Sequence, residues 1–433
     1  MNVPIWMARR IAASGKDSFS KMIIRIASLA VALSVTVMVV SLSLISGFKH
    51  QIREKIFGFW GHIHIMDTNS RLTYEPSPMD WRCKTYDDIK RTEPIIYNNN
   101  DDDNNALNRL FTGKNKYTKA VKHVQGFATK PGIIKTKDAI EGIILKGVGD
   151  DFDWSFMEQY WVRGQKINLK DTVVNRGIVI SQQTSDRLKI DVGSKLVVYF
   201  VKNGEQLKRV FDVTGIYKTG LEEYDKKLAI IDIRILQQLL DWSPNQVAGY
   251  EIFLDDINDL EPLTAHIYEN KIDDTMGAET IREKFPGIFE WLDLQDINGY
   301  IILGLMMVVG IISMITTTLI LILERTNMIG IMKSLGENNK NIRSIFMYHG
   351  LIIAVKGLFC GNLVGITLCF LQERYKSIKL PEADYYLSYV PIELNWSGIL
   401  LLNIVTILVI FLSLNLPLIL VNRINPIKAI EYK

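Results

Sequence analysis

The chain of 433 residues contains only three cysteines, Cys83, Cys360 and Cys369. Cys360 and Cys369 share one apolar stretch, and a helix would place them about 13 Å apart along its axis. A disulfide needs Cα atoms closer than about 7 Å, and Cys83 stands alone in a different region. An intradomain disulfide framework is therefore excluded, and the soluble part of the protein must rely on its hydrophobic core.

The sequence also lacks a phosphate-binding loop and a strong excess of charge. The pattern G-x-x-x-x-G-K-[ST] does not occur, so the chain is not its own P-loop ATPase. The formal net charge is only +3, and no basic stripe with interleaved aromatic residues is present, which argues against a nucleic-acid partner.

No Ser/His/Asp or Cys/His arrangement typical of a catalytic site stands out in the sequence. The stretch "HIHIMD" brings His62, His64 and Asp67 together, but a zinc site usually needs more ligands of the right type. We interpret the two histidines as surface or half-buried residues of a strand. The sequence thus predicts no catalytic residue and no metal ligand, and the chain is not expected to be an enzyme.

Long apolar runs are what the sequence does contain. A bilayer requires roughly 20 consecutive apolar residues per helix, and four stretches meet that length. The first run is too long for a cleavable signal peptide and no A-x-A-like site follows it, so we expect it to stay as an anchor. The predicted transmembrane helices are residues 22–48, 297–323, 345–371 and 396–421.

Lysine and arginine are concentrated near one end of these helices, and such residues favour the cytoplasmic side. The N-terminal segment 1–21, the loop 324–344 and the tail 422–433 are therefore predicted to be cytoplasmic. The large segment 49–296 and the loop 372–395 are predicted to lie outside the cytoplasmic membrane.

The segment 49–296 has the alternating strand-like runs and short amphipathic runs of a mixed α/β domain. At its start, Ile52, Ile56 and Phe57 have helical spacing and predict a short amphipathic helix after the first span. The polar run "NNNDDDNN" at 98–105 is typical of a mobile loop.

A short amphipathic segment, "LERTNMIGIMKSLGENNKNIRSIF", separates the second and third apolar runs. Its apolar residues recur at helical spacing over 325–335 and predict one face packed on the membrane helices, with Lys333 on the polar face. Gly336 suits the left-handed residue that ends a helix, and Asn338 suits an N-cap. From the residues alone, an interfacial connector and a docking element both remain open. The predicted apolar face consists of Met328, Ile329, Ile331, Met332 and Leu335.

The third apolar run carries two further signals. Gly357, Gly361 and Gly365 form a repeated small-xxx-small pattern, which lets another helix approach closely in lipid. Lys356 lies near mid-bilayer, where a charge is expensive and is often functional. Its partner would be Asn403 or Asn415, a watery groove or a second subunit, unless the lysine snorkels or is neutral.

Four stretches of the chain, in this order, resemble the membrane subunits of lipoprotein-releasing ABC transporters, the LolC/LolE type, which are grouped with MacB and FtsX. The first is "ARR" with "SLAVALSVTVMVVSLSLISGFKHQIREKIFGF". The others are "TGIYKTGLEEYDKKLAIIDI", "ERTNMIGIMKSLGENNKNIRSIF" and "LPLILVNRINPIKAIEYK". The third departs from the family pattern at Met328, where a glutamate is usual.

The resemblance implies a MacB-like permease fold: an α-helical membrane protein with four transmembrane helices plus a large α/β periplasmic domain that has an inserted β-rich subdomain at about 135–218. It implies a multi-pass protein of the bacterial inner membrane with both termini cytoplasmic. ATP and Mg would bind a separate cytoplasmic P-loop ATPase of the LolD type, and this chain would hold no cofactor. Its other expected partners are membrane lipid, a lipoprotein cargo, a periplasmic carrier of the LolA type and a second permease subunit, either identical or a sibling.

The family also implies roles for particular residues. Ile45 and Phe48 match a part of the pattern that lines a lipoprotein pocket. The 325–335 helix would be a coupling helix that docks on the ATPase and transmits its motion mechanically. Alternatives are a MacB-like efflux permease, an FtsX-like regulator of cell-wall hydrolases and an ATP-independent receptor or scaffold. The expected coupling residues are Arg325, Met328, Ile329, Met332, Lys333, Leu335, Gly336 and Asn338.

Overall fold

The computed structural model describes residues 19–73, 76–98, 115–136, 140–202 and 204–424. By their contacts, the described residues within 52–289 and 381–388 form one compact unit, called the sheet unit here. Those within 1–51, 290–380 and 389–433 form the other, called the helical unit. Most of the predicted N-terminal segment and tail, and nearly all of the Asn/Asp run, lie outside the described residues.

Fourteen strands are found in the described residues. They are β1 Ile63–Asp67, β2 Met79–Asp80, β3 Ile96–Asn98, β4 Asn115–Tyr117, β5 Val121–Lys135, β6 Ile140–Val148, β7 Trp161–Gly164, β8 Gly177–Ser181, β9 Lys195–Lys202, β10 Glu205–Tyr217, β11 Leu228–Asp232, β12 Gln246–Val247, β13 Gly249–Leu254 and β14 Met276–Thr280.

The helices of the same residues are α1 Phe19–Trp60, α2 Thr68–Thr73, α3 Lys84–Lys90, α4 Ser155–Glu158, α5 Gln182–Leu188, α6 Glu222–Asp225, α7 Ile233–Leu240, α8 Leu260–Asn270, α9 Ile281–Lys284, α10 Pro286–Glu324, α11 Thr326–Ser334, α12 Asn339–Tyr375, α13 Glu382–Tyr385, α14 Trp396–Ser413 and α15 Asn415–Arg423. A 3₁₀ helix covers Ile257–Asp259.

The sheet unit is built on one ten-stranded mixed sheet with the strand order β14-β1-β13-β5-β6-β11-β8-β10-β7, in which β9 pairs with both β10 and β5. Most neighbours are antiparallel, whereas β11 runs parallel to β6 and β10 runs parallel to β8. The mixed α/β class predicted for this region is therefore confirmed. Strands of the predicted subdomain at 135–218 join the same sheet as strands outside it, and its separate status stays a prediction.

Helices that are long and apolar enough to cross a membrane lie mostly in the helical unit. Four such segments occur in the described residues: Met22–Trp60, Pro286–Glu324, Asn339–Tyr375 and Trp396–Asn422. Side chains from all four form one buried cluster, with Val35, Met314, Ala354 and Ile410 at most 1% exposed. The apolar outer faces of these helices stay exposed, as expected of surfaces that meet lipid.

The first helix is much longer than the predicted span of 22–48. Helix α1 has 42 residues, about 63 Å at 1.5 Å per residue, roughly twice the hydrocarbon thickness of a bilayer. The short amphipathic helix predicted around Ile52 and Phe57 is present, but it continues α1 without a break. Both residues become apolar core of the sheet unit, with Ile52 fully buried and Phe57 7% exposed.

The last apolar segment, predicted as the span 396–421, consists of two helices. Helix α14 ends at Ser413 and α15 begins at Asn415. Pro417 explains the break, since a proline ring clashes with the carbonyl four residues earlier, which belongs to Ser413.

Candidate functional site

The candidate coupling helix is α11, which lies between the apolar helices α10 and α12. Its C-terminal end is set by local chemistry, because Gly336 has a positive φ of 85° that an L side chain rarely adopts. The Asn338 side chain then accepts the N–H of Lys340 at 3.1 Å and caps α12. Both features lie where the sequence predicts them, and the helix is one residue shorter at each end than predicted.

One face of α11 is buried among apolar side chains. Ile329 is fully buried, and Met328 and Met332 are partly buried against the same cluster. Full burial of a side chain such as Ile329 contributes about 1.5–3 kcal/mol, which holds α11 on its neighbours. The other members of the cluster are Ile322, Ile342, Phe346, Leu418 and Val421.

The opposite face of α11 is partly apolar and exposed. Ile331 is 48% and Leu335 83% exposed, and Asn327 precedes them at the i, i+4, i+8 spacing that places residues on one side of a helix. The prediction that Ile331 and Leu335 pack on the membrane helices was therefore wrong. We call the surface formed by Asn327, Ile331 and Leu335 the α11 outer face.

Lys333 is engaged within the chain and does not lie on a free polar face as predicted. Its Nζ donates to the carbonyl oxygens of Val421 at 2.7 Å and Ile424 at 2.9 Å, at the end of α15. A cation there complements the negative end of the helix dipole. Desolvation lowers the pKa of Lys333. Nearby, Arg343 Nε donates to the Leu418 carbonyl at 3.1 Å. Lys333 and Arg343 thus fix α15 to the polar end of this bundle. Arg325, another predicted coupling residue, is half-buried.

The spaced glycines of α12 form its contact with α1. A Cβ at Gly361 would lie 2.6 Å from the Ala32 carbonyl oxygen and 2.7 Å from the Val35 Cβ, closer than real Cβ atoms approach. Gly357 is almost as restricted by Val31, and Gly365 is restricted less. The Thr36 hydroxyl also donates to the Gly361 carbonyl at 3.1 Å. The glycines thus occupy the close helix contact that their spacing indicates.

Lys356 precedes Gly357 of the α1–α12 contact and is exposed on the outside of the bundle. The asparagines suggested as its partners are engaged elsewhere, so that suggestion was wrong. Asn403 exchanges hydrogen bonds with Asn362 at 2.8 and 3.1 Å, and Asn415 donates to helix carbonyls within its own segment. A role for Lys356 stays a prediction.

The candidate pocket residues lie in the seam between α1 and α10. Ile45 is half-buried and its side chain reaches the position where a Cβ of Gly299 would be. Phe48 is 8% exposed and meets Trp291 edge-on with ring centroids 6.2 Å apart. An ion pair of Lys49 with Asp296 lies at the same end of the seam. The pocket role of Ile45 and Phe48 stays a prediction.

The histidines of "HIHIMD" are more buried than predicted. His62 is 9% and His64 1% exposed, so their assignment as surface or half-buried residues was wrong. His62 stacks on Phe57 at 4.3 Å, and its Nδ1 accepts the N–H of Leu254 at 3.2 Å. Burial lowers the pKa of His62 to about 4. The described residues contain no group of three or more His, Cys, Asp or Glu side chains that could hold a metal ion.

Two family models match this chain in sequence. The model of the MacB-like periplasmic core domain matches residues 26–267, more than half of the chain. The chain belongs to the MacB/FtsX permease family. The model of the FtsX-like permease C-terminal region matches residues 300–426, so the two models together cover both the sheet unit and the helical unit.

Curated relatives place this permease in the LolC/LolE type. It is 21% identical to the lipoprotein-releasing system transmembrane protein LolC of Xylella fastidiosa, covering 98% of this chain and 97% of the relative. It is 23% identical to LolE of Haemophilus influenzae, with 96% and 95% covered. The extracellular domain of the noncanonic ABC-type transporter YknZ from Gram-positive bacteria aligns with a TM-score of 0.30 at 13% identity, over 51% of this chain and 98% of that one.

One part of the permease carries a structural role that the sequence did not reveal. In "TGIYKTGLEEYD", the buried Asp225 accepts the N–H groups of Thr219 and Gly220 at 3.1 and 3.0 Å and the Thr219 hydroxyl at 2.6 Å. Lys55 Nζ then donates to the carbonyls of Thr219 and Tyr386 at 2.5 and 2.9 Å. This motif therefore holds the end of α1 and the segment around α13 together. The Thr-Gly pair followed by an aspartate was the only local signal.

Proposed function

We propose that this permease is the transmembrane subunit of an ABC transporter that releases lipoproteins from the bacterial inner membrane. The names of its curated relatives, matched over nearly their whole length, carry this proposal. The chain itself is non-catalytic in this account. A separate cytoplasmic ATPase binds ATP and Mg, and a second permease subunit completes the membrane part.

The α11 outer face is the proposed docking site for the ATPase. Exposed apolar residues of a monomer mark interaction surfaces when they are grouped, and Ile331 and Leu335 lie side by side on a helix whose other face is anchored. Lys333 and Ile329 support docking indirectly, since they fix α11 to the bundle. Motion of the ATPase would then displace α11 together with α12 and α15. In this topology both termini of the chain lie on the cytoplasmic side, as the ATPase does.

The docking test is co-purification of the ATPase with the full-length permease. Ile331→Asp with Leu335→Asp should remove the ATPase while the permease still inserts and folds, because both side chains are exposed. A matched control is Val173→Asp in the sheet unit, where the side chain is 76% exposed. Retention of the ATPase by the double variant would refute docking at this face.

The proposed cargo route is the seam between α1 and α10. Ile45, Phe48 and Gly299 are apolar, as a site for acyl chains requires, and the Lys49–Asp296 ion pair would have to separate for the seam to open. Photocrosslinkers at positions 45 and 48 should trap a lipoprotein when the transporter is active. Capture of bulk lipid alone would contradict the cargo assignment, whatever the outcome for ATPase docking. A soluble periplasmic carrier would receive the cargo.

A further inference from the structure

A buried cluster of charged side chains lies at the C-terminal end of α1, inside the sheet unit. Lys146 of β6 and Glu251 of β13 form an ion pair of 2.7 Å, with side chains 1% and 0% exposed. Gln125 of β5 donates to the other carboxylate oxygen of Glu251 at 2.8 Å. Strand β5 lies between β13 and β6 in the sheet, so three adjacent central strands contribute to one polar cluster.

The same cluster takes up the last carbonyl groups of α1, which have no partner within the helix. Lys146 Nζ donates to the Phe59 carbonyl at 2.8 Å, and His64 Nε2 donates to the Trp60 carbonyl. The carbonyl oxygen of Phe57 accepts the N–H of Gly61 at 2.7 Å. The cation of Lys146 also lies 5.2 Å from the Trp60 ring centroid. The end of the helix is thus held by directional bonds as well as by apolar contact.

A second cation links the cluster to the start of α10. Lys284 Nζ donates to His64 Nδ1 at 2.7 Å and lies 5.0 Å from the Trp60 ring centroid. Because His64 Nε2 donates to Trp60, its Nδ1 is the acceptor, and the ring is neutral. Burial lowers the pKa of His64 well below its usual value. Lys284 ends α9, and α10 begins two residues later at Pro286.

Stability alone gives a weak reason for this arrangement. Buried ion pairs lose most of their attraction to desolvation, and apolar replacements of similar volume are often equally stable. Charged hydrogen bonds, however, add a fixed direction to the apolar contacts around the end of α1. The cluster lies where α1 and α10 meet the sheet in the chain, so it is suited to pass displacement from these helices to the sheet.

We propose that Lys146, Glu251 and His64 are positioning residues that make the sheet unit follow the movement of α1. We call them the α1 anchor. This inference rests on the proposed function, since it assigns the path by which ATPase motion reaches the part of the permease outside the membrane. Without the anchor, the transporter hydrolyses ATP but delivers less of the stroke to its cargo.

The test is the amount of lipoprotein released per ATP hydrolysed by the complete transporter in proteoliposomes. Lys146→Met with Glu251→Gln removes both charges and the donor to Phe59, and residue 251 can still accept from Gln125. We expect assembly and ATP hydrolysis to be retained while release per ATP falls about fivefold or more. The matched control is Lys166→Met with Glu158→Gln, a pair with side chains 56% and 62% exposed, which should leave the ratio unchanged.

Release per ATP equal to that of the wild type would overturn the inference, and so would a loss of ATP hydrolysis and release in equal proportion, which marks a merely structural role. If the double variant does not accumulate, His64→Phe is assayed in the same way. It keeps the aromatic contact with Trp60 and removes the bond to its carbonyl. Absence of ATP-driven release by the wild type would instead refute the proposed function.

Discussion

The close contact between α1 and α12 at Gly361 allows a graded test of the packing between these two helices. A methyl group at this position would meet the Ala32 carbonyl and Val35 at 2.6 and 2.7 Å. Backbone cannot move aside cheaply, so overpacking should cost about 1–3 kcal/mol. In an unrestricted helix, the same Gly→Ala change is favourable by about 1 kcal/mol.

The measurement is the free energy of unfolding of purified full-length variants in mixed detergent micelles. Gly361→Ala should be the least stable variant, followed by Gly357→Ala and then by Gly365→Ala, whose nearest contact is 3.2 Å. The control is Gly304→Ala on α10, where a Cβ meets nothing within 4 Å. It should be as stable as the wild type or more stable. Equal stability of the Gly361 and Gly304 variants would refute the reasoning.

Two further predictions concern single side chains. Lys333→Met removes the cation from the carbonyls of Val421 and Ile424 and should lower the free energy of unfolding by about 1 kcal/mol. The control Lys340→Met, at an exposed position, should leave the free energy of unfolding unchanged. An unchanged value for Lys333→Met would contradict the capping role of Lys333. Burial lowers the pKa of His62 to about 4 in the folded protein, whereas an unfolded histidine has a pKa of about 6.5. The unfolded state therefore binds the extra proton between these pH values. The free energy of unfolding should therefore fall by about 3 kcal/mol as the pH drops from 6.5 to 4. In denaturant titrations at a series of pH values, His62→Asn should remove this part of the pH dependence. An unaltered pH dependence would contradict the burial of a neutral ring.

Local signals in the sequence predicted the elements of the candidate site well. Gly336 and Asn338 mark the end of α11 and the start of α12 because their chemistry acts within a few residues. The spacing of the glycines in α12 likewise predicts a close helix contact, although it does not identify α1 as the partner.

The orientation of α11 could not be predicted, because its apolar residues cover more than one face. Tertiary packing against α12 and α15 buries Ile329 and leaves Leu335 exposed. The hydrogen bonds of Lys333 could not be predicted either, because its two acceptors lie 88 and 91 residues further along the chain.

The continuity of α1 and the α1 anchor were missed for related reasons. The polar residues after Phe48 indicate the end of a membrane-spanning stretch, but a helix can continue into water when its next turns have a core to pack on. Lys146 is a single cation in the apolar strand "EGIILKGV", which was a visible signal. Its counterion Glu251 is about 100 residues away, and no local pattern connects the two.

The proposed coupling to a separate ATPase depends on contact with the α11 outer face. The most direct measurement is photocrosslinking in native membranes from a reactive residue placed at Leu335, with the same residue at the fully buried Ile329 as the control. We predict that the Leu335 position crosslinks to a P-loop ATPase and that the Ile329 position does not. Crosslinks from position 335 to lipid or to proteins outside the cytoplasm, with no ATPase among the products, would contradict the account.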